Sequence, residues 1–85
     1  METRFLKPAV KALRQMDEKT RTRMLSAIEG LTLNPPTGDI KPLVGETGKY
    51  RLRVGKYRVI YSYGEDGGIV ILYVEDIGSR GDIYK

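Results

Sequence analysis

Lys49-Tyr50-Arg51-Leu52-Arg53-Val54-Gly55-Lys56-Tyr57-Arg58-Val59-Ile60-Tyr61-Ser62-Tyr63 is the stretch on which the fold turns. Tyr50, Leu52 and Val54 alternate with Arg51 and Arg53, the period of a strand with one buried face. Past Gly55-Lys56 the chain resumes with β-branched and aromatic residues as far as Tyr63. Two β-prone runs split by two residues, the first of them glycine, predict a hairpin with a tight turn. That turn fixes the register. Val54 falls opposite Tyr57, Arg53 opposite Arg58, Leu52 opposite Val59, Arg51 opposite Ile60 and Tyr50 opposite Tyr61. One face therefore collects apolar side chains, and the other presents Arg51, Arg53 and Arg58 together.

Downstream, Gly64 to Gly68 predicts a second turn, and Ile69 to Val74 is apolar on both faces, as a central strand is. Asp76 to Tyr84 is a mixed tail with Gly78 and Gly81 and room for a last short strand. Upstream, Thr37 to Lys49 reads as loop, with Gly38, Gly45, Gly48 and Pro42. Asn34-Pro35-Pro36 stops whatever helix precedes it, because proline lacks an N–H and restricts its predecessor. Met24, Leu25, Ile28 and Leu31 form the apolar stripe of that helix, Asp17 is its expected N-cap, and Lys19, Arg21 and Arg23 face away. Val10, Leu13 and Met16 mark a shorter helix before it, with Pro8 in the tolerant first turn. Glu2 to Leu6 suggests a first strand. The order predicts an α+β fold, an N-terminal helical hairpin on one face of a small, mainly antiparallel sheet.

The chain has 85 residues, enough for one domain, 1–85. It contains no cysteine, which excludes a disulfide framework and thiolate metal sites, and no histidine, which removes the commonest general base and zinc ligand. No metal or cofactor is expected. No apolar run approaches the ~20 residues of a membrane span, and no signal peptide is evident behind Met1, so a soluble cytoplasmic protein is expected. The net charge is +4. Its distribution says more than its size: residues 49 to 58 carry five cations and no acid, and the acids sit elsewhere, as at Glu65-Asp66 and Glu75-Asp76.

Like charges placed opposite each other destabilise a sheet. A sequence selected only to fold has little reason to set Arg53 across from Arg58; a polyanionic partner supplies one, because guanidinium holds phosphate bidentately. The plainer alternative is a solvated face, some of it paired with Glu75 or Asp76. The strand tyrosines 50, 57, 61, 63 and 73 read as core residues with wet hydroxyls, whereas Tyr84 lies outside the periodic strands.

The tract from Lys49 to Tyr61 resembles the central hairpin of the RelE/ParE toxin superfamily. The ending Ile77-Gly78-Ser79-Arg80-Gly81-Asp82-Ile83-Tyr84 resembles that of its RelE branch, and Phe5 to Pro36 matches the family's strand, helical hairpin and proline stop. The resemblance covers nearly the whole chain. It implies a RelE-like toxin of a type II toxin–antitoxin system, held inactive by a small cognate antitoxin. RelE-type members cleave mRNA on the ribosome: the ribose 2′-hydroxyl attacks the adjacent phosphate and leaves a 2′,3′-cyclic phosphate. Carried across, the resemblance matches Arg51 and Arg53 to two basic strand positions of the RelE site, Arg58 to the arginine of the next strand, and Arg80 and Tyr84 to the tail arginine and tyrosine. By side-chain type Arg51 and Arg53 suit positioning of the RNA backbone, Arg58 and Arg80 stabilisation of the phosphorane, and Tyr84 base stacking or proton transfer. Where some members have lysine, this chain has arginine, a poor base. Other members use a glutamate and a histidine; here Asp39 or Glu46 is the candidate substitute base. Two other readings stand beside mRNA cleavage: a ParE-like gyrase inhibitor, and a basic module that binds RNA or protein without catalysis.

Overall fold

The computed structural model describes residues 1–79. Strand β1 (Glu2–Phe5) is followed by helices α1 (Lys7–Arg14) and α2 (Glu18–Glu29) and a 3₁₀ turn over Gly30–Thr32. Strands β2 (Asp39–Pro42), β3 (Lys49–Val54), β4 (Tyr57–Asp66) and β5 (Ile69–Ser79) complete it. They form one five-stranded sheet in the order β1-β5-β4-β3-β2. Its neighbours are antiparallel except β1, which runs parallel to β5.

The central hairpin has the expected register, from Val54 opposite Tyr57 to Tyr50 opposite Tyr61. Gly55 adopts φ +59°, a left-handed conformation that glycine enters without penalty. Leu52, Val59, Tyr61, Leu72 and Val74 point from the sheet to Ala9, Met24, Ile28 and Leu31 of the helical layer, and all are essentially inaccessible. Ile71 and Leu72, neighbours on opposite faces of β5, are both buried, as an interior strand requires.

Asp17 caps α2: its Oδ1 accepts the Thr20 N–H at 3.2 Å. Pro8 sits in the first turn of α1. Arg21 departs from expectation. It turns back to donate to the carbonyls of Leu13 (2.8 Å), which also accepts the Met16 N–H, and Met16 (2.6 Å), tying α2 to the end of α1. Leu25 departs too: it is exposed, and the buried stripe of α2 is Met24 and Ile28.

Three boundaries differ from the sequence reading. Asp39–Pro42, read as loop, is edge strand β2, antiparallel to β3. The second turn is shorter than expected: β4 continues to Asp66, and Gly67-Gly68, both at positive φ, reverse the chain into Ile69. Gly64 stays inside β4, where a side chain would collide with the Tyr73 ring. The tail through Ser79 is no separate strand but the end of β5. The remaining tail residues lie outside the described residues.

Candidate functional site

β4 and β5 do not pair evenly. Ile60 faces Asp76 but Tyr61 faces Val74, so Glu75 is an extra residue on β5, a β-bulge. Val74 and Ile77 both stay in the core, and Glu75 and Asp76 both turn to the sheet face away from the helices. This is the arginine face. Two cross-strand rows run over it. One is Lys41, Arg51, Ile60, Asp76; the next is Asp39, Arg53, Arg58, Gly78.

The first row floors a groove of about 900 Å³. Leu43, Val44 and Glu46 of the β2–β3 loop and Leu6 and Pro8 at the start of α1 contribute to its lining, with Arg58 and Glu75. Arg51 and Arg58 thus meet in one concavity. Arg53 does not line it. Arg80 and Tyr84 lie outside the described residues.

The acids set the electrostatics. Asp39 bridges two arginines: Arg53 Nε donates to Oδ2 at 3.1 Å and Arg51 Nη1 to Oδ1 at 3.2 Å, with a further bond from Arg51 Nη1 to the Asp39 carbonyl at 3.1 Å. The Arg53 hydrogen bond, joined by Arg51, outweighs the opposing desolvation and holds the Asp39 carboxyl below its ordinary range. Asp39 also explains how Arg53 and Arg58 can stand opposite each other: it is the next member of their row. The run 49–58 lacks an acid, but the edge strand brings one. As a candidate base Asp39 is poor, because both its oxygens are engaged, its basicity is lowered and it does not line the groove.

Glu75 is held by Lys49 Nζ at 2.8 Å and by the Ser62 hydroxyl, which donates at 2.6 Å. Burial pushes its carboxyl up, but these bonds outweigh burial and leave it below the usual range. Glu46 lines the groove from an exposed loop, 3.8 Å from the same Lys49. Asp76 Oδ1 accepts the N–H of Ile77 at 2.9 Å. Sequence reasoning named Asp76 only as a partner for arginine, yet the signal was present: Val-Glu-Asp-Ile sets two polar residues between two apolar ones, which a regular strand cannot orient.

The tyrosines serve the core side. Tyr50, Tyr61 and Tyr63 pack edge to face with centroids 5.6 to 6.4 Å apart, and the Tyr63 hydroxyl donates to the Leu31 carbonyl at 2.7 Å. Burial pushes the Tyr61 phenol far up, which removes it from acid–base work near neutrality. Tyr73, paired with Ser62, shares the open face. Among the described residues no cluster of histidine, cysteine or acidic side chains is placed to hold a metal, and no helix is long and apolar enough to cross a membrane.

Residues 3–84 match the family described as the ParE toxin of the type II toxin–antitoxin system parDE. This chain belongs to the RelE/ParE superfamily of type II toxins. Among solved structures it is similar to the archaeal RelE–RelB complex from Pyrococcus horikoshii OT3, with 28% identity over 95% of this chain and 96% of that one, TM-score 0.75. The RelB–RelE antitoxin–toxin complex from Methanococcus jannaschii is 29% identical over 94% and 93%, TM-score 0.67. The intact RelBE toxin–antitoxin complex of E. coli, 17% identical over 92% and 94% with TM-score 0.60, shares the fold. Among curated proteins none matches significantly.

Proposed function

We propose that this toxin, acting as a single domain over residues 1–85, is a ribosome-dependent endoribonuclease of the cytoplasm. It cleaves mRNA by attack of a ribose 2′-hydroxyl on the adjacent phosphate, and a small cognate antitoxin silences it. The observation that carries this reading is the meeting of Arg51 and Arg58 in one groove on a rigid sheet. Such a groove suits a bent phosphodiester: Arg58, assisted from the tail by Arg80, stabilises the charge that builds on the phosphorane. One positioned donor of this kind is typically worth about 3–4 kcal/mol. Arg51 and Arg53 align the backbone, and Tyr84 stacks on a base or transfers a proton. The antitoxin is supported by the neighbours, which are themselves toxin–antitoxin complexes.

Primer extension on a reporter mRNA after induction tests the reading. Ribosome-dependent cuts within codons are expected. The second reading, inhibition of gyrase without hydrolysis, is favoured by the family description that matches 3–84. Intact mRNA with a DNA-damage response would establish it instead.

A further inference from the structure

Cleavage by this route needs the 2′-hydroxyl deprotonated, and the residues usually suited to that are missing: the chain has no histidine, and arginine, the cation of the groove's centre, is a poor base. The candidate must be a carboxylate. Four acids stand in or beside the groove, and the structure separates them. Asp39 does not line the groove and is bound to two guanidiniums, Glu75 is bound to Lys49 and Ser62, and Glu46 sits in an exposed loop beside Lys49. Asp76 differs. Among the described residues no ion pair engages it, and its one hydrogen bond comes from the adjacent Ile77 N–H. That bond engages Oδ1, and Asp76 itself lines the groove.

Its position is built rather than accidental. The extra residue lets Val74 and Ile77 both stay in the core, and it shifts the register so that Asp76 rather than Glu75 faces Ile60 on the open face. The bulge sets it across from Ile60, in the row of Arg51 and beside Arg58, in the groove. An acceptor of protons next to two phosphate-binding cations is the constellation that transesterification requires.

Resting on the ribonuclease reading above, we propose that Asp76 is the general base of this toxin. Its carboxylate takes the proton of the 2′-hydroxyl. The freed oxygen forms a bond to phosphorus, and the bond from phosphorus to the 5′-oxygen breaks. The electron pair leaves on that oxygen, which takes a proton from water. The products are a 2′,3′-cyclic phosphate and a 5′-hydroxyl. Among the described residues the charged and titratable groups around Asp76 are Arg58 on β4, Arg51 on β3, Lys41 on β2, Glu46 in the β2–β3 loop and Glu75 beside it.

The test is single-turnover cleavage by the full chain on programmed ribosomes, across pH, for wild type, Asp76→Asn, Asp76→Ser and Asp76→Glu. Asparagine and serine keep an oxygen for the Ile77 N–H and remove the base. Each is expected to slow cleavage by about 10²–10⁴-fold, with ribosome binding unchanged, and to erase the acidic limb of the wild-type profile. Glutamate is expected to restore both the limb and most of the rate, which a merely structural aspartate would not predict. Wild-type rate and profile in the asparagine and serine variants would overturn the assignment while leaving the ribonuclease reading intact. A wild-type protein that cuts no mRNA would overturn both. If asparagine unfolds the protein, the serine and glutamate variants still decide: folded serine with full activity, or folded glutamate without the limb, refutes the base.

Discussion

A single arginine–carboxylate cluster sets the behaviour of the open face. Arg58→Ala is expected to cut mRNA cleavage by at least ~10²-fold, as loss of a transition-state donor does, while leaving the melting temperature nearly unchanged. Cleavage assays and thermal melts on one preparation check both halves. Asp39→Asn acts in the opposite direction. It releases Arg51 and Arg53 from their carboxylate, so affinity for single-stranded RNA should rise, and the slope of log affinity against log salt should steepen by about one. Anisotropy titrations across salt concentrations measure it; an unchanged slope would mean that Asp39 does not compete with phosphate. The same ion pairs respond to acid. Asp39 and Glu75 have folded-state affinities for protons below their unfolded ones. Their stabilisation is therefore complete above the unfolded carboxylate range near pH 4 and is lost as pH falls through the folded values. Urea melts between neutrality and acid should show this loss, blunted in Asp39→Asn and in Glu75→Gln. The arginines themselves were legible in the sequence, because a two-residue turn dictates which side chains share a face. Their counter-ion was not: Asp39 is 12 and 14 residues away from Arg51 and Arg53, and only pairing of β2 with β3 brings it near.

The elements were legible where pattern and turn chemistry agreed. Helix α2 announced itself by a cap and a proline stop, and the β3–β4 hairpin by period and glycine. β2 hid because it holds four residues, Asp39-Ile40-Lys41-Pro42, with a single apolar inward position. An edge strand tolerates such composition, proline included. Its entry is constrained all the same. Gly38 has φ +128°, and a Cβ there would come within 2.6 Å of Leu52 Cδ1 in the core. Gly45 has φ +82° in open space. Gly38→Ala should therefore destabilise by roughly 2–4 kcal/mol, combining backbone strain with overpacking. Gly45→Ala should cost about 1–2 kcal/mol. Denaturant midpoints rank the two, and equal losses would show that the Leu52 contact relaxes freely. Because Gly38 precedes Asp39, its substitution should also loosen the arginine clamp and alter RNA binding beyond the change in stability.

At the scale of the molecule, one helical layer covers one sheet face, and apolar side chains remain at the surface: Leu6, Leu25, Leu33, Ile69 and Val70 are all exposed. An antitoxin that covers some of them should raise the melting temperature progressively with its concentration, since a ligand of the folded state alone stabilises by mass action. Titration of the partner in thermal melts checks this, and a concentration-independent melt would count against a tight complex. The architecture as a whole was readable from the order of helices and strands. The parallel pairing of β1 was not, because nothing in Glu2–Phe5 states which strand it will join.

That pairing has a consequence for timing. β1 is made first, yet its neighbour is β5, with Thr3 beside Leu72 and Phe5 beside Val74. A growing chain can form its helices and the β3–β4 hairpin early from nearby residues, but the sheet cannot close until Ile69–Ser79 has appeared. The bulge that orients Glu75 and Asp76 belongs to that same late segment. Contacts so distant along the chain are the slow ones in folding. The groove that Arg51, Arg58 and Asp76 line is in this way among the last parts of the sheet to be assembled, since it does not exist until β5 has joined β4 and β1.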